Sequence, residues 1–237
     1  SGLVGSEMCI RDRACTKGRE PAAGPDLWAP ADFKMLPPIA FQWLATLLNM
    51  IEAGEPWPEQ LLHARMAYMD KDPDDSLNAL AYRVLQRMPV LYRKWATVRL
   101  KQLAPWIEEW DMEEIFAGTG GRGASDGVYE TALQLEMAKL LGIDVTGGAC
   151  DLYKCFDQLI RELVYEILRI AGMPEGVLSA YARFLEQVQV HNTVAGGLGK
   201  AFHKRCSIPQ GCPWSMMVIA LLLRPWVQIM RLSLIHI

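Results

Sequence analysis

The octapeptide Cys150-Asp151-Leu152-Tyr153-Lys154-Cys155-Phe156-Asp157 places two carboxylates six positions apart, just after the pair Gly147-Gly148. A carboxylate that ends a strand and turns into a cleft can hold a hard divalent cation. Mg²⁺ takes one or two carboxylates and completes its shell with substrate phosphates. The same residues fit a plainer pattern, in which Asp151 ends a strand and Asp157 N-caps the helix that follows. Both readings expect a strand before Asp151 and a helix beyond Asp157. The octapeptide alone leaves the choice between them open.

A second stretch, Ser207-Ile208-Pro209-Gln210-Gly211-Cys212-Pro213-Trp214-Ser215, opens a strongly apolar segment. Taken together, the two stretches resemble the first palm motif of reverse transcriptases (Asp, apolar, two variable, small, aromatic, Asp) and the second (apolar-Pro-Gln-Gly, then Ser). Upstream, Tyr82-Arg83-Val84 and Pro89-Val90-Leu91-Tyr92-Arg93-Lys94-Trp95-Ala96 resemble the finger motif of that family. Gly24-Pro25-Asp26-Leu27-Trp28 partly matches its Gly-x-Asp-Gly-Trp element, with Leu27 in place of the second Gly. Gly121-Arg122-Gly123-Ala124-Ser125-Asp126 partly matches the second half of its Gly-Phe-Arg-x-Gly-Arg-Ser-x-x-Asp element. Val84 stands where the family has Pro, and Gln86-Arg87 where it has small or apolar residues. The likeness is to the non-LTR-retrotransposon and group-II-intron branch, and it covers roughly residues 24–231.

The resemblance implies an α+β fold of the right-hand polymerase type. Residues 24–146 would form a fingers-like region and 147–231 a partial palm, helix-rich, with a small antiparallel sheet lacking its last hairpin. It implies RNA-directed DNA polymerase (nucleotidyltransferase) activity in the intact parent, by two-metal phosphoryl transfer with Mg²⁺, or Mn²⁺ in its place. An RNA template, a DNA primer and deoxynucleoside triphosphates are the implied partners. By resemblance Asp151 is the catalytic, metal-bridging carboxylate and the Leu152 carbonyl a second metal ligand. Lys71 and Arg83 would contact the triphosphate, where a planar guanidinium can grip phosphate oxygens in two places. Phe156 would lie under the sugar and clash with a ribose 2′-hydroxyl, with Cys155 in the small slot beside it. Gln210 and Gly211 would line the nascent base pair, and Arg122 and Pro209 would touch the template.

The third palm motif of the family, an aromatic-x-Asp-Asp hairpin, is absent from the chain. The expectation is therefore a fragment that is inactive alone, whose parent carries the rest of the palm, a thumb and, in some elements, an endonuclease domain. Both ends support a cut reading frame. Leu3 to Arg13 back-translates as CTC GTG GGC TCG GAG ATG TGT ATA AGA GAC AGR, which resembles a transposase-based sequencing adapter. Leu232 to Ile237 back-translates as the opposite strand of the same adapter end. Residues 1–13 and 232–237 are accordingly read as artefact and set aside. Residues 14–23 are read as linker. The alternative is a decayed or domesticated copy that binds RNA without catalysis; a third reading, an unrelated α-rich scaffold, is opposed by the ordered motifs.

Composition bears on partners and compartment. The net charge of −3 over 237 residues supplies no overall basic field, so nucleic-acid binding would rest on local patches. Six cysteines occur without a Cys-x-x-Cys pair, which fits reduced thiols in an intracellular protein better than a zinc site or a disulfide framework. A nuclear site of action would suit a retroelement, and no localisation signal is legible. Met216 to Leu223 is apolar but short for a membrane span and meets Arg224-Pro225, so it reads as a buried helix and no membrane partner is expected.

Local patterns complete the expectations. Pro38–Ala53 has helical periodicity, Ala64–Lys71 alternates like a strand, and Asp72-Pro73-Asp74-Asp75 is a turn. Tyr92–Trp110 reads as a helix whose Arg93, Lys94, Arg99 and Lys101 form either an RNA-facing surface or a solvated face. Gly118–Gly123 fits Gly-x-Gly-x-x-Gly, but an acidic, helix-like segment precedes it where a dinucleotide fold needs a strand. Val128–Leu141 is a helix by pattern, and beyond Asp157 the residues Leu159, Ile160, Leu163, Val164, Ile167 and Leu168 form a core-facing stripe. Gln187–Val194, a turn at Gly196–Gly199 and Lys200–Ile208 read as a hairpin.

Overall fold

The structure, a computed structural model, describes residues 23–70, 82–194 and 196–234. A short helix α1 (Pro30–Lys34) leads into α2 (Pro38–Ala53), which has the predicted bounds. Phe41, Ala45, Leu48 and Ile51 are its buried residues, three or four apart, and Gly54 at φ 122° closes it. A 3₁₀ turn (Glu59–Leu61) then delivers the chain to β1 (His63–Asp70), one residue earlier than predicted at each end. Lys71 and the turn at 72–75 lie outside the described residues.

β2 (Tyr82–Arg87) pairs antiparallel with β1, Arg65 opposite Arg87 and Met69 opposite Arg83. The hairpin after the helical middle of the chain forms only in part: β3 (Gln189–Val194) pairs with the two-residue β4 (Gly197–Leu198), which lies inside the expected turn, and the expected return over 200–208 is reduced to a single bridge from Phe202 to Val190. β3 lies beside β1 in parallel register, His63 opposite Gln189 and Met66 opposite Asn192, giving the order β2-β1-β3-β4. The sheet is thus mixed rather than antiparallel. Parallel neighbours cannot be joined by a tight turn and need a long crossover. Here the crossover is the run of helices between the two strands.

That run begins with α3 (Val90–Gln102) and α4 (Ala104–Trp110). A single helix was expected over this span. It breaks at Leu103 because Pro105 falls in the first turn of α4, where its missing N–H breaks no bond. α5 (Ala124–Leu141) starts a turn earlier than the pattern indicated, since Asp126 Oδ2 accepts the Gly123 N–H at 2.7 Å and caps the extra turn. α6 (Cys155–Gln158), α7 (Arg161–Ile170), α8 (Glu175–Gln187) and α9 (Ser215–Leu234) follow. Among the described residues the architecture is therefore a mixture of nine α-helices and one four-stranded sheet.

Three local expectations change. No strand precedes Asp151: residues 143–152 are irregular and exposed. Gly142 in the left-handed region ends α5, and Gly147-Gly148 disfavour an ordered extended segment. Asp157 is not an N-cap but lies inside α6, where its N–H donates to the Lys154 carbonyl at 2.9 Å. Of the expected stripe along α7 and just before it, Val164 and Leu168 are buried, Leu159 and Ile167 pack partly, and Ile160 and Leu163 face outward.

The core draws on residues before and after position 147. Tyr92 and Phe184 stack with ring centroids 3.6 Å apart, and Trp57, Trp95, Tyr181 and Trp214 surround them. Each of three indoles finds an acceptor, as buried tryptophans require: Ala180 O for Trp57 at 2.9 Å, Glu52 for Trp95 at 2.7 Å, and Ala96 O for Trp214 at 2.6 Å. Arg99 is buried and donates through Nε to Glu52 Oε1 at 2.6 Å, so it belongs to the core and not to an RNA-facing surface. α9 runs straight through Pro225, and over Ser215–Leu232 it is long and apolar enough to cross a membrane by length and composition. Its Met217, Val218, Ala220, Leu221 and Val227 are core residues, whereas Trp226, Ile229 and Met230 are exposed. The expected buried helix is therefore buried mainly in its first half.

Candidate functional site

Three separated segments meet at one cleft. The Ser207–Ser215 loop is the piece that joins the other two. On one side its backbone is bound to the segment after Asp151: Ile208 N–H donates to Phe156 O at 3.0 Å and Ser207 N–H to Leu159 O at 2.8 Å. Lys204 reinforces this seam through its ion pair with Asp157 at 3.4 Å. On the other side Gln86 N–H of β2 donates to Gln210 O at 2.9 Å. Below, Trp214 anchors the loop in the aromatic core, and Ser215 Oγ donates to Pro209 O at 2.6 Å at the start of α9.

Two glycines make these approaches feasible. Gly211 has φ +115°, and a Cβ there would sit 2.8 Å from Gln86 O. Gly118 has φ +85°, and a Cβ there would lie 2.2 Å from Met216 O. Gly118–Gly123 thus packs on the first turn of α9, turns at Gly121 (φ +80°) and caps α5 at Gly123. Its glycines serve packing and turning, with no strand leading into them as a dinucleotide site requires.

The resulting cleft has a volume of about 530 Å³. Arg83, Asp151, Leu152, Phe156 and Gln210, five of the residues singled out from sequence, all line it. Arg83 is exposed on β2, Asp151 is exposed opposite, and Phe156 and Gln210 are half-buried. Gly211 lies beside Gln210 beneath β2. Pro209 is buried with its carbonyl engaged by Ser215, so it offers no template-facing surface in this structure. Arg122 does not line the cleft; it pairs with Asp111 next to Gly118–Gly123. Lys71 falls outside the described residues.

Sequence reasoning passed over Lys154, Met216 and Ile219, which also line the cleft. Lys154 adds a second cation, and its backbone is left-handed at φ 46°, a conformation that costs a non-glycine residue about 1–3 kcal/mol. Strain of this kind is a signal only coordinates carry. Met216 and Ile219 are three apart on one face of α9, legible once the start of that helix is known. The Cys155 thiol is pushed above its ordinary pKa by partial burial, so it is a poor nucleophile there.

Two-metal transfer needs carboxylates that hold a pair of ions. Among the described residues, no group of three or more His, Cys, Asp or Glu is placed to hold a metal ion. In the cleft Asp157 is engaged by Lys204, which leaves Asp151 as the cleft carboxylate with no ion pair to another described residue. One carboxylate and a neighbouring carbonyl suit at most a single hard cation completed by phosphate oxygens. They do not fit two ions about 3.5–4 Å apart.

In comparisons with known proteins, the chain matches no protein-family model and no curated protein.

Proposed function

We propose that this chain is the nucleotide-binding part of a retroelement reverse transcriptase, with fingers and an incomplete palm. The observation that carries the proposal is the convergence of Arg83, Asp151, Phe156 and Gln210 in one cleft from three segments far apart in sequence. In this reading Arg83 and Lys154 grip the triphosphate, Phe156 lies under the sugar and excludes a 2′-hydroxyl, and Gln210 with Gly211 supports the base pair. Mg²⁺, or Mn²⁺ in its place, would arrive with the triphosphate. Transfer itself needs a further carboxylate beside Asp151, so the isolated chain binds deoxynucleotides and does not extend a primer.

The test is binding of fluorescent deoxy- and ribonucleoside triphosphates in Mg²⁺. Deoxynucleotide is expected to bind more tightly. Arg83→Ala should weaken it about tenfold, the scale of one lost charged hydrogen bond, and Phe156→Ala should erase the sugar preference. Equal binding of both sugars by the wild-type protein, or primer extension abolished by Asp151→Asn, would overturn the assignment.

A second reading is supported by the lack of a metal-binding group among the described residues: a relic that binds RNA without catalysis. It predicts RNA retention on filters that is indifferent to Asp151→Asn, with no deoxynucleotide binding.

A further inference from the structure

The parallel pairing of β1 and β3 places His63 and His191 on the same face of the sheet. His63 is opposite Gln189, and His191 is the next residue of β3 pointing the same way. His63 Nδ1 and His191 Nε2 are 3.2 Å apart, and the rings meet with centroids at 5.5 Å and planes inclined by 35°. The other nitrogen of His191, Nδ1, is 3.1 Å from the Gly199 carbonyl oxygen. A carbonyl only accepts, so Nδ1 of His191 carries the ring proton and Nε2 keeps its lone pair. In the neutral pair, His63 Nδ1 donates to that lone pair.

We propose that His63 and His191 form a two-histidine chelate for a divalent transition-metal ion that favours imidazole, of the Zn²⁺, Ni²⁺ or Cu²⁺ class. The spacing of the two nitrogens suits one such ion. Two nitrogens bound at about 2.0–2.1 Å to one tetrahedral ion lie about 3.3–3.4 Å apart, close to the separation already present. A chelate therefore needs a rotation of the His63 ring about its soft χ2 torsion, with at most a slight tilt of His191, and no movement of either strand. The Gly199 carbonyl supports the same site. It fixes the tautomer and orientation of His191 from the far side of the ring, as the outer partner of a metal-binding histidine commonly does.

The support of the two rings is braced by backbone hydrogen bonds. Gly199 N–H donates to Asn192 O at 2.8 Å, and the Val190–Phe202 bridge holds the returning strand, so the carbonyl and the ring belong to one braced hairpin. Both rings are half-buried, leaving an open side from which water completes the shell. The proton balance is simple. His63 moves its ring proton from Nδ1 to Nε2, the ion takes the two facing lone pairs, and no proton is lost. Acid competes by protonating those nitrogens. Arg65 and Arg87 lie on the same face, Arg65 turned to the Gly24 carbonyl at 3.2 Å. Two imidazole nitrogens are the donors offered, and Mg²⁺ and Ca²⁺, which take oxygen ligands, are disfavoured.

The test uses the full chain with its accessible thiols alkylated, because exposed Cys150 and Cys206 would otherwise bind soft ions themselves. Calorimetric titration with NiCl₂ and with ZnCl₂ at neutral pH should show one equivalent bound with micromolar affinity. His63→Ala and His191→Ala should each weaken it at least tenfold, and His203→Ala, at an exposed histidine, should leave it unchanged. Circular dichroism checks that the variants fold. If one does not, the Cu²⁺ electron paramagnetic resonance spectrum of the wild-type protein decides. Coupling to two imidazole nitrogens supports the chelate, and coupling to one or none overturns it. Absence of ion binding, or binding that survives both substitutions, also overturns it.

Discussion

Replacing Gly211 by alanine tests how the cleft is held together. At φ +115° the residue occupies backbone space that side chains rarely enter, and the new Cβ would stand 2.8 Å from Gln86 O. The carbonyl cannot swing aside cheaply. Gln86 sits in β-register opposite Met66, and its own N–H is bound to Gln210 O at 2.9 Å. The backbone conformation contributes about 1–3 kcal/mol and the overpacking about 1–3 kcal/mol, for a total destabilisation of about 2–6 kcal/mol. Gly120 is the matched control, since nothing lies within 4 Å of a Cβ there. Gly120→Ala should stay within about 0.5 kcal/mol of wild type. Urea unfolding reads the difference as a shift in midpoint at constant slope. If the two variants unfold at the same urea concentration, the close contact between β2 and the Pro-Gln-Gly loop does not hold the cleft.

Further predictions concern single residues. Lys154→Gly should stabilise the fold by about 0.5–1 kcal/mol by relieving the left-handed backbone while weakening triphosphate binding; a destabilised variant would show that the φ of 46° is not a strained position. Burial pushes the Cys212 thiol up to about 11 from an ordinary 9.0. The unfolded chain therefore loses this proton first, and stability present below about pH 9 should fall by about 2–3 kcal/mol as pH rises towards 11. Urea midpoints that stay flat across that window would contradict it. Glu52→Ala should cost about 3–5 kcal/mol by stranding buried Arg99, and a thermal midpoint within two degrees of wild type would refute the core role of that pair.

The parts of the fold legible in the sequence are those decided by neighbours in the chain. Pro38–Ala53 has its apolar residues on one face and a glycine just past its end, and it forms with those bounds. The hairpin around Gly196–Leu198 was marked by alternation and glycines. What could not be read depends on distant partners. The parallel register of β1 on β3 joins segments whose pairing no local pattern specifies. The strand expected before Asp151 does not form: with Gly147-Gly148 in it, that stretch stays irregular and exposed, although β2 is an edge of the sheet. Arg93, Lys94, Arg99 and Lys101 are equally basic in sequence, but Glu52, far off on α2, draws Arg99 into the core. Asp157 was equivocal for a similar reason, because the Lys204 that engages it arrives with the second motif. The meeting of Arg83, Asp151, Phe156 and Gln210 followed from motif order, whereas Lys154 entered only through its backbone conformation.

The most direct measurement is photo-crosslinking of an azido-deoxynucleoside triphosphate to the full chain in Mg²⁺, with the labelled peptides mapped by mass spectrometry. The account predicts label on the peptides holding Tyr82–Val84 and Cys150–Asp157, reduced by Arg83→Ala and competed by deoxynucleotides in preference to ribonucleotides. Label confined to other surfaces, or label that excess deoxynucleotide does not compete, would contradict it.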